Sequence, residues 1–516
     1  MKKLLSAALC AALCLGLFGC GKTPATSSPT DPAVHESAYE GTQIVLSDSG
    51  ITVDGKAAST QAGDAVYLAN DIVYYESGKD FTYGEGTEKD AHSTQDANAH
   101  TVVHITKPGQ YVLTGSLSKG QIAIDLGEDA KSDPNAVVTL VLEGADITCQ
   151  VAPAVIFYNV YECGSTDTET AGATVDTSNA GANVIIAADT ENNINGAYVA
   201  KIYKPESVEL NEDGTEVLDA KKLHKYDAAF YSKMSMNVGG EGTLNITAAN
   251  EGLDSELHLT VNGGNINIVS GNDGINTNED YVSVTTINGG NVNIRVTGST
   301  GEGDGIDSNG WLVINGGTVT SQACGFSGDA GIDSDMGIHI NGGTVFATGN
   351  MLDRISESKQ TFAVFQFSTA QRVSMYAEEF CTYSLKNSKG STVISGSAKN
   401  DFSYLIVSSP DLTAGEYTLW QGSKQLSGSA GEQMGMGGGM MGGFGQLPGG
   451  MTPPEGMTPP EGMTPPEGME RPDRPNGMQR PEGAYGFISP VSTVFKIADG
   501  ATYFMDIAQE DAVRPA

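Results

Sequence analysis

Asn-Gly-Gly recurs at residues 262–264, 288–290, 315–317 and 341–343, in steps of 26, 27 and 26 residues. Each copy opens a run in which apolar and polar residues alternate: Asn265-Ile266-Asn267-Ile268, Asn291-Val292-Asn293-Ile294, Thr318-Val319-Thr320 and Thr344-Val345-Phe346. A second motif precedes each copy: Gly252-Leu253-Asp254-Ser255, Gly274-Ile275-Asn276-Thr277, Gly305-Ile306-Asp307-Ser308 and Gly331-Ile332-Asp333-Ser334. From Asp254, Asp307 and Asp333 the next Asn-Gly-Gly lies 8 residues on; from Asn276 it lies 12 on, which places a four-residue insertion near Glu279 and Asp280. A strand-turn-strand unit of this length cannot bury its own apolar face, whereas stacked copies can. The spacing therefore predicts an all-β chain built as a solenoid of parallel strands, with small N-terminal and C-terminal β extensions. Leu259, Leu312 and Ile338 are expected to form one interior ladder. Val261, Ile287, Ile314 and Ile340 form a second, and Ile266, Val292, Val319 and Val345 a third. Asn262, Asn288, Asn315 and Asn341 should stack at a sharp turn, where Asn and the paired glycines tolerate left-handed backbone. A β-sandwich with glycine-rich hairpins does not account for two motifs that keep the same offset.

Outside the repeats the composition shifts several times. Residues 1–19 read as a signal peptide: Lys2 and Lys3 precede an apolar run from Leu4 to Phe18, too short for a comfortable membrane span. The ending Leu17-Phe18-Gly19-Cys20 resembles the lipobox of bacterial lipoproteins, in which cleavage precedes the cysteine and its thiol receives diacylglycerol. Cys20 is thus the expected lipidation site, and the expected location is the extracellular face of the bacterial cell membrane. Residues 20–36 form a flexible tether, 37–95 an N-terminal β segment, and 96–350 the solenoid. Degenerate repeats are expected at Ile105–Leu126, Val137–Phe157, Ala182–Ala200 and Ala228–Ala248, with 201–226 as a charged projecting loop. Residues 351–425 and 486–516 make a C-terminal β cap. Between them lies a Gly/Met/Pro-rich insertion, 426–485, in which MTPPEG is written three times from Met451. Cys149, Cys163, Cys324 and Cys381 lack CxxC spacing, and Cys149 and Cys163 either pair or stay as free thiols. His92, His100 and His104 read as surface histidines in preference to a zinc site.

The net charge of −35 deepens to about −37 once Lys2 and Lys3 leave with the signal peptide. Such a chain repels phosphate backbones, which excludes nucleic acid. Neutral glycans, cations, or acidic glycans joined through cations suit it. Between residues 240 and 350 thirteen Asp and Glu face one Arg or Lys, Arg295. Glu251, Asp254, Asp273, Asp304, Asp307, Asp329, Asp333 and Asp335 gather at equivalent turns. Carboxylates one repeat apart, about 4.8 Å, repel by roughly 3–4 kcal/mol at an effective dielectric of about 20. Protein cations cannot offset such a row, whereas Ca²⁺ takes oxygen ligands in number. Calcium is the expected cofactor, with Asn276 among its ligands and Asn272 and Asn309 near; a solvated acidic edge is the alternative. Arg295, Trp311 and Tyr281, on exposed strand faces, are the candidate carbohydrate contacts. A lyase would need Arg or Lys beside the calcium as base. Arg295 is the one candidate within the repeats, with Lys233 and Arg354 at their ends. A glycosidase would need paired Asp, which are too plentiful here to discriminate. A non-catalytic glycan binder is therefore favoured over a lyase or hydrolase of the same fold, and over a structural adhesin.

Three further stretches carry a family resemblance: Pro108-Gly109-Gln110-Tyr111-Val112-Leu113-Thr114-Gly115, Leu142-Glu143-Gly144-Ala145-Asp146-Ile147-Thr148, and Ala228-Ala229-Phe230-Tyr231-Ser232-Lys233. Followed by the repeats, they resemble the bacterial carbohydrate-binding-domain proteins with a right-handed parallel β-helix akin to pectate lyases. The resemblance spans roughly residues 95–350. It implies extracellular binding of polysaccharide, acidic sugars such as polygalacturonate among them, and calcium at carboxylate-rich turns. The 201–226 loop and the MTPPEG tract depart from the pattern and inherit no role.

Overall fold

The computed structural model describes residues 37, 39–431 and 490–509. The expected signal peptide, Cys20, the tether to residue 36 and the MTPPEG tract lie outside the described residues.

Strands account for nearly all the regular structure. Among the described residues the one α-helix is Thr94–Asn98, where the Ser93 side chain accepts from the Asp96 amide as N-cap. Three parallel ladders dominate. The first joins Met236–Gly240, His258–Val261, Val284–Ile287, Trp311–Ile314 and Gly337–Ile340, each strand pairing in parallel with its counterpart one repeat later. Leu259, Thr285, Leu312 and Ile338 fall in register, as do Val261, Ile287, Ile314 and Ile340. The second ladder joins Thr243–Ala248, Asn265–Ser270, Asn291–Val296, Thr318–Gln322 and Thr344–Gly349, with Leu244, Ile266, Val292, Val319 and Val345 stacked in its core. The third joins Val155–Asn159, Ala228–Ser232, Glu251–Ser255 and Ile275–Thr277, and Ile306 bridges to Ile275 beyond them. Period-2 alternation puts every second side chain of these strands inward, and the inward apolar residues are buried in one continuous core.

The degenerate upstream stretches join the same ladders. Ala182–Ile186 pairs in parallel with Met236–Gly240 on one side and Val138–Cys149 on the other; Glu191–Gly196 pairs with Thr243–Ala248. At the Asn-Gly-Gly turns the amides stack. Asn288 Nδ2 donates to Asn262 Oδ1 at 2.9 Å, Asn315 Nδ2 to Asn288 Oδ1 at 2.9 Å, and Asn341 Nδ2 to Asn315 Oδ1 at 3.0 Å. The second glycine of each turn, such as Gly290 at φ 82°, holds the left-handed conformation.

Several expectations need correction. Residues 201–226, expected as a charged projecting loop, contain paired strands: Val199–Tyr203 pairs antiparallel with Lys222–Tyr226, and Glu209–Leu210 with Val217–Asp219. Val199, Ile202, Tyr203 and Tyr226 at the base of this arm, residues that favour strands, support its pairing despite its charge. Lys424–Ala430 is a strand against Ala501–Gln509, so regular structure runs into the expected low-complexity insertion, held by buried Leu426. Of the two states left open for Cys149 and Cys163, the structure has the free thiols. His100 is buried, not a surface residue: its Nδ1 lies 2.8 Å from the Asp96 carbonyl and its Nε2 accepts from the Gln150 amide at 3.2 Å. His104 stacks on Tyr67 and meets Asp71 at 2.7 Å.

Past residue 350 the pairing changes sense. Thr344–Gly349 pairs antiparallel with Phe402–Ser408, which also pairs antiparallel with Phe362–Gln371. A second core forms there around Phe365, Phe367, Tyr383, Phe402, Phe495 and Phe504, and Phe346 of the last repeat contributes to it.

Candidate functional site

The third ladder positions the acidic residues. Register sets Asp254 beside Asn276. Backbone hydrogen bonds from Asp307 N to Ile275 O (2.9 Å) and from Asp333 N to Ile306 O (2.7 Å) carry the same positions onward. Asp254, Asn276, Asp307 and Asp333 therefore line up. Glu251, Asp273 and Asp304 form a neighbouring line: Gly252 N donates to the Asp273 carbonyl at 3.0 Å and Gly274 N to the Asp304 carbonyl at 3.1 Å.

At one end Asp227, Glu251 and Asp254 converge, with one carboxylate oxygen from each inside a 4.8 Å cluster and all three residues buried. Asp254 is fully buried and accepts from Asn278 Nδ2 at 3.0 Å through both oxygens. Lys225 Nζ reaches Asp227 Oδ2 at 2.7 Å. Glu251 is 6% exposed, and its Oε2 has no hydrogen-bond partner; neither has Oδ1 of Asn276, which is 7% exposed. Burial, then the charge of Asp254, holds the Glu251 carboxyl well above its ordinary range. Burial and then Asp227 do the same for Asp254.

Further along, backbone amides satisfy part of the acidic line. Asp304 N donates to Asp273 Oδ1 at 2.6 Å, Ala330 N to Asp304 Oδ1, and Gly303 N to Asp329 Oδ2 at 2.8 Å. Burial dominates the carboxyl titrations. Asp273 is pushed up to about 7 against the lowering effect of the Asp304 amide. Asp304 is pushed up to about 10, with Asp333 and Asp273 adding to burial. Asp307 rises to about 7 and Asp333 to about 8. Buried carboxyls facing one another with one adjacent lysine must hold protons or share a cation.

The predicted acids thus fall into two groups. Glu251 and Asp254 gather with Asp227, while Asp273, Asp304, Asp307 and Asp333 continue the line toward Asp353. Asp335 is exposed and Asp329 half-buried at its margin. Asp227 and Asp353 lay outside the repeated motif, and no spacing signal marked them. The three candidate sugar contacts stand on different elements. Arg295 is exposed on the second ladder, where its Nε donates to Asn400 Oδ1 at 3.2 Å. Trp311 is half-buried at the start of a first-ladder strand. Tyr281 lies not on a strand face but in a turn, at φ 62° and 56% exposed, because the four-residue insertion loops out there.

A family model described as carbohydrate-binding domain-containing protein matches residues 99–399, more than half of the chain. The chain belongs to this family. The span that marks it as a carbohydrate-binding domain-containing protein takes in all three ladders' repeats, both acidic lines and all three candidate sugar contacts. No curated protein matches the sequence. Among solved structures, a gadolinium derivative of the polysaccharide lyase-like protein from C. thermocellum is similar at 20% identity, over 62% of this chain and 94% of that one, with a TM-score of 0.35.

Proposed function

We propose that this member of the carbohydrate-binding family is a non-catalytic, lipid-anchored module on the outer face of the bacterial membrane. Its ladders wind as a right-handed parallel β-helix, Ca²⁺ sits along the acidic lines, and the bound ion bridges to the carboxylates of a polysaccharide such as polygalacturonate. Cys20 carries the anchor.

One observation supports the ion above all: Glu251 Oε2 and Asn276 Oδ1 are buried without partners beside the converging carboxylates of Asp227, Glu251 and Asp254. A buried oxygen left unpaired costs about 1–3 kcal/mol. Ca²⁺ accepts 6–8 oxygens at about 2.3–2.6 Å and takes carboxylate and amide oxygens together. An ion there would satisfy both orphan oxygens and let the carboxyls ionise at neutral pH. Positions left open on the ion suit uronate carboxylates, which reconciles an acidic protein with an acidic ligand. Metal titration of the chelated protein, read by thermal melting, tests the ion: calcium should raise the melting temperature, and an identical melt in calcium and EDTA removes it. Retention on immobilised polygalacturonate, calcium-dependent and without unsaturated product absorbing in the ultraviolet, tests the binder; appearance of that product makes the protein a lyase.

A further inference from the structure

The outer face of the first ladder carries a groove of about 880 Å³, away from the acidic lines. Its floor has two columns. Thr260, Thr286, Val313 and His339 follow one another in parallel register. Beside them runs the amide ladder of Asn262, Asn288, Asn315 and Asn341. One wall is the segment 173–178, pinned by Thr177, whose hydroxyl meets Asn237 Oδ1 at 2.8 Å and Thr260 Oγ1 at 2.7 Å. At the far end the groove continues past His339 and Glu357 to Trp311 and Arg354. Trp311 precedes Val313 by two residues on one strand, so its ring stands on the same outward face.

We infer that this groove is a second glycan site, distinct from the acidic lines, and that it takes an uncharged, linear polysaccharide lying along the ladder axis. The amide arithmetic is specific. An Asn side chain offers two N–H donors and two acceptor lone pairs. In Asn288 and Asn315 the ladder consumes one donor and one lone pair each, which leaves one of each per repeat for the groove. Asn341 Oδ1, at the ladder's end, has no partner but is enclosed, so Asn288 and Asn315 are the rungs that carry the pattern. Donor and acceptor therefore recur together about every 4.8 Å, a spacing close to the length of one pyranose ring and matched to hydroxyls that donate and accept at once. Trp311 adds a ring face on which a sugar can stack. Charge sets the class: Asp176 and Glu357 are balanced by Lys359 and Arg354 around the groove. A polyuronate would bring a carboxylate at every ring and meet Lys or Arg among the lining residues only at the end that holds Lys359 and Arg354.

This site rests on the polysaccharide-binding reading and not on calcium, so the two can fail separately. Isothermal titration of the full protein with cellohexaose, xylohexaose, mannohexaose and hexagalacturonate, each in calcium and in EDTA below the melting transition, separates them. At least one uncharged hexamer should bind, with the same affinity in both buffers. Thr286→Arg, which fills the floor and spares the amides, and Asn315→Leu, which breaks the ladder, should each weaken it tenfold or more. In a Trp420→Phe background the remaining Trp311 emission should shift on binding, a readout that does not depend on either groove variant folding. Binding of uncharged hexamers with no emission shift, or with undiminished affinity in folded groove variants, overturns the inference. Binding of hexagalacturonate alone, and only with calcium, overturns it while leaving the polysaccharide reading in place. If no glycan binds, both readings fall.

Discussion

At Asp304 the balance between burial and charge becomes a measurable quantity. Its carboxyl is pushed up to about 10, by burial first and by Asp333 and Asp273 next. Without metal the folded protein must hold a proton there at neutral pH or tolerate a buried charge. Asn keeps an acceptor for the Ala330 amide and removes the titrating group. Asp304→Asn should therefore stabilise the chelated protein by about 1–3 kcal/mol and shrink the gain from calcium, both read from urea melts in EDTA and in Ca²⁺. His258 gives the opposite case. It is 3% exposed, its Nδ1 has no partner, and burial lowers its imidazole to about 4. The unfolded chain takes up a proton near pH 6.5, and the folded one resists until about pH 4. Between those values the unfolded state binds more protons at this position, so His258 by itself subtracts up to roughly 3 kcal/mol as the pH falls. Asp273, Asp307 and Asp333, raised to about 7, 7 and 8, bind protons in the folded state over the same range and act in the opposite sense. The histidine is therefore read as a difference: in denaturant melts from pH 7 to pH 4 the wild type should lose stability relative to His258→Gln by about that amount. Neither residue's environment was legible from the sequence. Asp304 stood out by its place in the repeat, yet periodicity does not say how far burial raises its carboxyl. His258 lies one position before an interior ladder residue, and nothing local says that a neighbouring segment covers it.

Among the elements, the Asn-Gly-Gly turn was the most legible, because three constraints meet in it. The asparagine must reach its counterpart one repeat away, the second glycine must adopt positive φ, and the strand after it must start in register. At Gly290 φ is 82°, and a Cβ there would lie 2.6 Å from the Gly264 carbonyl oxygen and 2.8 Å from Gly263 C. Backbone, not a flexible side chain, occupies that space. Gly290→Ala should cost about 2–3 kcal/mol, combining left-handed strain with a clash that cannot relax by rotation, and equilibrium urea unfolding would measure it. The interior apolar ladders follow from the same repeat. Leu259, Leu312 and Ile338 stack in register, with Thr285 as the fourth member that an apolar pattern would overlook. The charged arm at 201–226 shows where such reasoning stops. Its pairing depends on Val199 facing Tyr226 and Tyr203 facing Lys222 across an intervening hairpin, contacts that composition alone does not reveal. The acidic triad shows the same limit: Glu251 and Asp254 belong to the motif, but Asp227 joins them from a degenerate repeat that lacks it.

For the molecule as a whole, the hazard in a stack of parallel strands is its last edge. A ladder presents a row of unpaired N–H and C=O groups at each end, and an uncovered end invites pairing with another chain. Here the final repeat does not end in solvent. Thr344–Gly349 reverses sense against Phe402–Ser408, with Val345 opposite Ser408 and Gly349 opposite Tyr404. Phe346 belongs to the second core, in which Phe365 stacks on Phe504 at 5.1 Å and Phe367, Tyr383 and Phe402 pack edge to face at 5.2–5.8 Å. The two cores therefore meet at a strand edge and an aromatic side chain at once. Ending the chain at residue 350 would strip both, baring the last strand and the Phe346 ring together. That truncated protein should self-associate on size-exclusion chromatography at concentrations where the full chain elutes at one position. Adding Phe346→Ser, which removes the bared ring, and Thr348→Lys, which puts a charge on the same outward face of the strand, in line with Gln322 and exposed Arg295, should restore solubility without restoring the lost stability. If the truncation runs as a single species with an unchanged melt, the segment beyond 350 is not what protects the ladder's end, and its conspicuous aromatic core needs another explanation.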